Sequence, residues 1–129
     1  MAAAELPAEV KAVLKDDEAV VVVDHAGNIV AVTEALRQLL DLPEDEYILG
    51  EAIELLVPAD RRFGHQAYRR GYIAEPAVRE MDPGLFPEAE RVSDGALIPI
   101  YVILEPIRVG GMLYSVAHVT VREDGQSAS

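Results

Sequence analysis

Read as apolar against polar, the C-terminal part of the chain falls into three runs, 86–92, 96–109 and 112–121, separated by Ser93-Asp94-Gly95 and Gly110-Gly111. Those residue types tolerate the positive φ angles of tight reversals, so the pattern predicts three successive strands joined by hairpins. The middle run is apolar on both faces. With the period of two of a strand, Ile98, Ile100, Val102 and Leu104 share one side, while Tyr101 and Ile103 fall on the other. A sheet face left to water carries polar residues. The sheet is therefore expected to be covered twice, by the chain's own helices on one face and by a second cover on the other. The run 86–92 alternates poorly and holds Pro87, which cannot donate to a ladder, so it is expected at a sheet edge.

Upstream, residues 5–15 read as a short helix with Pro7 in its first turn. Leu6, Val10, Val13 and Leu14 form its single apolar stripe, which must be buried on the outer sheet face of this subunit or of a partner. Residues 19–24 and 28–33 read as two strands around the turn His25-Ala26-Gly27, and the β-branched run Val20–Val23 suits a strand buried on both sides. Thr33 reads as the N-cap of a helix through Leu40, with Ala35, Leu36, Leu39 and Leu40 facing inward. Pro43 followed by Glu44, Asp45 and Glu46 suits the start of another helix, whose apolar side is Ile48, Ala52, Ile53 and Leu56. Every charged residue from 41 to 54 is an acid, which reads as a solvated face.

A longer helix is predicted over 61–74. Arg62, Gln66 and Arg69 form its wet side; Gly64, Ala67, Gly71 and Ala74 form a stripe of small residues, with His65, Tyr68 and Tyr72 beside it. Glycine inside a helix costs about 1 kcal/mol relative to alanine, so two of them need a reason. Either another backbone packs closely, the commoner use, or room is left for a ligand against the His–Tyr–Tyr side. Residues 75–85, with Pro76, Pro83 and Gly84, read as a loop, and 122–129 as a polar tail.

Composition narrows the function. A chain of 129 residues, half of it apolar and 26% charged, is one ordinary globular domain. Its net charge of −12 argues against nucleic acid and against an anionic membrane surface as partners. The absence of cysteine removes disulfides, thiolate catalysis and cysteine-based metal sites. The start carries no basic region followed by a long apolar run, and no stretch is long enough to span a bilayer, so a cytoplasmic location is expected.

The order of these elements, two strands, a helical middle and three hairpin strands, is an α+β layout. In wording as well as order it resembles a PAS domain, the sensory module of many signalling proteins. Glu18-Ala19-Val20-Val21-Val22-Val23-Asp24 with Gly27-Asn28-Ile29-Val30 is similar to the family's opening hairpin. Leu55-Leu56-Val57-Pro58, Arg62 and His65 resemble the entry to its long helix. Pro76, Arg79 and Met81 resemble its loop motif, and Asp94-Gly95, Ile98-Pro99-Ile100, Leu104 and Pro106 its best-marked strand. The likeness covers about residues 17 to 122, leaving an N-terminal amphipathic helix at 1–16 and a polar tail at 123–129. It implies a five-stranded antiparallel sheet with helices packed on one face and the N-terminal helix on or near the other. The space between helices and sheet is where such domains hold a ligand. Five positions depart from the family's pattern: Thr33 stands for the usual Asn, Asp41 for Gly, Tyr101 and Ile103 for polar residues, and His118 for the Asp of Asp-Ile/Val-Thr, in His118-Val119-Thr120. The last removes an acidic residue often tied to signal output.

Chemistry is sparse. Gly110-Gly111 is a hairpin rather than a phosphate loop, Ser93 and Ser115 lack a nucleophile motif, and no acid–base constellation is visible, so no enzyme is expected. Flavin photochemistry through a cysteine adduct is impossible here. Haem would need an axial ligand. His65 is expected instead to hydrogen-bond at the helix–sheet junction, His25 to be solvated, and His118 to lie on the last strand without a ligand-spaced companion, so no metal site is expected. Arg61, Arg62, Arg69 and Arg70 concentrate positive charge on one helix, either to meet an acidic ligand or partner or, the commoner case, to balance the neighbouring acidic helix. The resulting expectation is a non-catalytic sensory and dimerisation domain of signal transduction, working as a homodimer toward a signalling effector. Its candidate pocket is His65, Tyr68, Tyr72, Ile100, Val102 and Tyr114; its candidate interface is Leu6, Val10, Val13, Tyr101 and Ile103. Two alternatives stay open: a ligand-free protein-interaction module, and a haem- or flavin-bearing sensor, although no residue demands a cofactor.

Overall fold

The computed structural model of the chain describes residues 6–57, 69–70, 72–74, 76–80 and 88–121. Strands β1 (Val20–Val23) and β2 (Ile29–Val32) are followed by helices α2 (Glu34–Leu40) and α3 (Asp45–Ile48) and a 3-10 turn (Ile53–Leu56); a one-turn helix α1 (Ala8–Lys11) precedes them. Residues 69–70 and 72–74 are helical. Then come β3 (Arg79–Glu80), β4 (Glu88–Glu90), β5 (Leu97–Val109) and β6 (Met112–Val121). The sheet runs β2-β1-β6-β5-β3, antiparallel at every pairing, with β4 also on β5. This is the expected α+β architecture, built on a five-strand path.

The β5–β6 hairpin is the spine of the sheet. Val109 pairs with Met112, and the ladder continues without a slip to Ile100 opposite Val121. Gly110 and Gly111 have φ of 56° and 84°, the two positive angles of a two-residue turn whose twist matches that of the strands. Because the register is unbroken, the two faces of these strands stay separate along their whole length. Ile98, Ile100 and Val102 join Val21, Val23, Ile29, Leu36, Leu40, Ile48 and Leu56 in an inner core under the helices. Val20, Val22, Ala31 and Val116 face the other way and form an outer core with Leu6 and Val10, against which Val13, Ile107 and Tyr114 pack.

The second cover is therefore α1 of the same chain. It lies over β1, β2, β6 and the Ile107 end of β5, and the Leu97–Ile103 end of β5 is open. Tyr101 and Ile103, expected to be covered, are 45% and 41% exposed, with Leu97 on the same face at 52%. The expectation that both faces of β5 lie buried along the strand holds for the lone chain only around Ile107.

Three elements differ from the sequence pattern. The N-terminal helix stops after one turn: beyond it the Val13 and Leu14 N–H groups donate three residues back, to Val10 and Lys11, and Asp16 is held at the start of α2, its carbonyl accepting from the Ala35 N–H at 3.0 Å and its carboxylate from the Glu34 N–H at 3.2 Å. The helix expected from Pro43 through Leu56 is split. Gly50 donates to the Ile29 carbonyl at 2.7 Å and the Glu51 carbonyl accepts from Ile29 at 2.8 Å, so residues 50–52 pair with the β2 edge, ending in an Asn28–Ala52 bridge. A helix cannot continue through backbone groups committed to a strand. Within the expected loop 75–85, Arg79 and Glu80 pair with Leu104 and Ile103 as β3. The first half of the 61–74 helix and the tail 122–129 lie outside the described residues.

Candidate functional site

A cavity of about 110 Å³ lies between the helices and the inner face of the sheet. The strands supply Val21 and Val23, Ile100, Val102 and Leu104, and Ser115, Ala117 and Val119. The helical layer supplies Leu36, Leu40, Ile53, Leu56, Val57, Arg69 and Tyr72, and Glu88 and Ala89 close one side. The alternation of β-structure explains the sheet wall: every second residue of β5 and β6 points inward. The wall over it comes from the i, i+4 spacing of Leu36 and Leu40 on α2.

Among the described residues two charged side chains belong to that lining, Glu88 and Arg69. The Arg69 guanidinium donates from Nε to Glu54 Oε2 at 3.1 Å and from Nη2 to Oε1 at 3.4 Å, a two-point ion pair, and from Nη1 to the Ala26 carbonyl at 3.1 Å. Glu54 is only 4% exposed. One side chain thus joins the helix that carries Tyr72, the 3-10 turn and the β1–β2 turn. Gly27 permits this: its φ is 87°, and a side chain there would run into the guanidinium. The same turn is held by Asp24, whose carboxylate accepts from the Ala26 and Asn28 N–H groups at 3.0 and 2.9 Å.

Of the six residues expected to line a pocket, Tyr72, Ile100 and Val102 do so. His65 and Tyr68 lie outside the described residues. Tyr114 does not belong there; it packs on the outer core with α1, because the β6 residues that face inward are Ser115, Ala117 and Val119. The strand is apolar on both faces, so its phase was ambiguous without the partner strand. Of the interface candidates, Leu6 and Val10 are buried against their own sheet and Val13 packs beside them, which leaves only Tyr101 and Ile103 available to a second chain. The sequence pattern places both Glu54 and Arg69 on solvated faces. Nothing local marks Glu54 among its acidic neighbours, and the one available signal was Arg69 on a helix already rich in small residues. His25 is exposed; His118 lies on β6, with Nε2 2.9 Å from Glu105 Oε1 across the outer face. Among the described residues no cluster of histidine and acids could hold a metal, and no helix is long and apolar enough to cross a membrane.

A family model described as the PAS fold matches residues 16–116. The chain belongs to the PAS fold family. Comparison with curated proteins found no match by sequence. Solved structures similar to this PAS domain include one from Colwellia psychrerythraea, 16% identical with a TM-score of 0.69, covering 90% of this chain and 97% of that one. Another is the PAS domain of an HTR-like protein from Haloarcula marismortui, 16% identical with a TM-score of 0.68, covering 88% and 89%. A third is PAS-B of Drosophila melanogaster Cycle with bound ethylene glycol, 9% identical with a TM-score of 0.66, covering 81% and 99%. At these identities the likeness is one of fold. In this PAS domain Thr33, in place of the family's usual Asn, caps α2 and also ties it to β1: its hydroxyl donates to the Glu18 carbonyl at 2.6 Å and accepts from Val20 N–H at 3.0 Å.

Proposed function

We propose that this PAS domain is a non-catalytic sensory and dimerisation module of a cytoplasmic signalling protein, which binds a small ligand in its cavity and passes the occupancy to a partner through the outer sheet face. The observation that carries the ligand is the cavity itself: interiors normally pack without voids of this size, and empty volume in a core costs stability. Its lining is drawn from both layers, so anything held there bears on both. Native mass spectrometry of the purified 129-residue chain tests this. A retained small molecule is the expected result, and a bare polypeptide supports instead a ligand-free interaction module. That second reading is favoured by the modest volume, which lies below the roughly 300 Å³ at which pockets begin to take drug-sized ligands. The same comparison weighs against haem or flavin, for which visible absorbance in the purified protein is the check.

Dimerisation rests on the open end of the outer face. Leu97, Tyr101 and Ile103 form a row of exposed apolar residues on one side of β5, continuous with the surface that α1 covers. The charged residues beside that row include the Glu105–His118 pair, and Glu80 and Glu90 stand in register opposite Ile103 and Leu97. Sedimentation velocity should find a dimer for the unsubstituted chain and a monomer for Tyr101→Glu with Ile103→Glu. An unsubstituted chain that stays monomeric at several hundred micromolar contradicts it.

A further inference from the structure

We propose that the cavity takes a small molecule with an apolar body and one hydrogen-bonding oxygen, and that the hydroxyl of Ser115 is the anchor for that oxygen. The inference rests on reading the cavity as a ligand site and adds the chemical class of the ligand and the residue that orients it. Three polar or charged residues are buried among those described: Thr33, Glu54 and Ser115. Two of them spend their side-chain oxygens within the fold, Thr33 on Glu18, Val20 and Leu36, and Glu54 on Arg69. Ser115 does not. It is 8% exposed, and among the described residues its hydroxyl has no hydrogen-bond partner. Buried polar side chains nearly always have one, so this hydroxyl calls for a partner that the described residues do not supply.

The sheet puts that hydroxyl in the cavity wall. Ser115 stands in register with Val23 on β1 and Pro106 on β5, and it lines the cavity with Val23, Ala117 and Val119. The other polar residues of the lining, Arg69, Tyr72 and Glu88, each have an interaction of their own, Arg69 with Glu54 and the Ala26 carbonyl. Water is the rival partner for Ser115. A held water makes two to four hydrogen bonds to polar groups, and the wall around Ser115 is aliphatic. A molecule with a single oxygen needs one such bond, and its apolar body makes the contacts that the rest of the void lacks. A hydroxyl both donates and accepts, so alcohol, phenol and carbonyl oxygens all suit it. Volume limits the body. About 110 Å³ compares with the ~150 Å³ of an engineered apolar cavity that takes benzene, which leaves room for one ring or a short chain.

The test is an amide chemical-shift titration of the whole 129-residue chain with phenol and toluene, which share a shape and differ by a hydroxyl against a methyl. Phenol should saturate, and the spectra of the two complexes should differ most at Ser115 and Val23. Ser115→Ala should weaken phenol at least fivefold and leave toluene within twofold. Reading the ratio of the two affinities across the substitution cancels the difference in their hydration. If Ser115→Ala loses the native spectrum, Ser115→Cys, which puts a weak donor in place of the hydroxyl, is read instead with the same expectation. If toluene binds and phenol does not, or if the substitution weakens both alike or neither, the anchor is overturned while the cavity remains a ligand site. If neither probe binds, or both bind unchanged after Ala117→Leu, whose side chain fills the space, the reading of the cavity as a ligand site falls as well.

Discussion

At Thr33 a single hydroxyl serves three backbone groups, those of Glu18, Val20 and Leu36, from a position with no exposure to solvent. Its role as a helix cap was legible from its place between an apolar strand and a helical pattern; its tie to β1 was not, because that partner lies 13 residues away. Thr33→Val keeps the shape and removes the hydroxyl from all three, leaving the buried Val20 and Leu36 N–H groups without it, so a loss of about 2 kcal/mol is expected, read from the urea midpoint at unchanged slope. Asp94 shows a smaller effect at the surface. The Ala96 N–H and then Arg91, 3.1 Å away, favour its ionised form and hold its pKa below the ordinary 3.8. A folded-state pKa that is depressed adds stability above the unfolded value and loses it as pH falls. The stability difference between the native chain and Asp94→Ala should therefore be constant above about pH 5 and shrink as the pH drops below 4. A difference that grows on acidification would refute the assignment.

Among elements, the hairpins were the most legible part of the chain. β5 and β6 were read to within one residue because two glycines mark their turn and a period of two runs through both. Helices were harder. The pattern from Pro43 to Leu56 fits a helix locally, yet pairing with β2 breaks it, a tertiary demand that no short window records. The ion pair was missed for the same reason: Glu54 and Arg69 look like surface charges until three elements converge on them. Arg69→Met should cost about 3 kcal/mol by removing the two-point contact to the buried Glu54 carboxylate, whereas Glu54→Leu combined with Arg69→Met should recover most of that loss. Thermal or urea unfolding of the three proteins measures both; a double variant no more stable than the single one would show that the guanidinium acts through the Ala26 carbonyl rather than through the charge it balances.

For the whole molecule, the sheet divides two tasks between two faces. Its inner face closes one side of a cavity, and its outer face is part covered by α1 and part open at Leu97, Tyr101 and Ile103. The double-sided character of β5 was visible in the sequence; which apolar residues are covered by the chain itself was not, since a stripe on a short helix does not say where along a sheet it docks. The two faces share the same strands: Ile100 and Val102 line the cavity, and Tyr101 between them points to the open surface. If the domain signals, occupancy of one face must change the affinity of the other, and the coupling between two such sites is typically 5- to 150-fold. The measurement that tests this most directly is the dimer dissociation constant, by sedimentation equilibrium with and without saturating toluene, a small ring suited to the mainly apolar lining, for the unsubstituted chain and for Ala117→Leu, whose larger side chain fills the cavity. A shift of at least fivefold, absent in Ala117→Leu, is the predicted result; an unchanged constant with the cavity demonstrably filled would contradict the account.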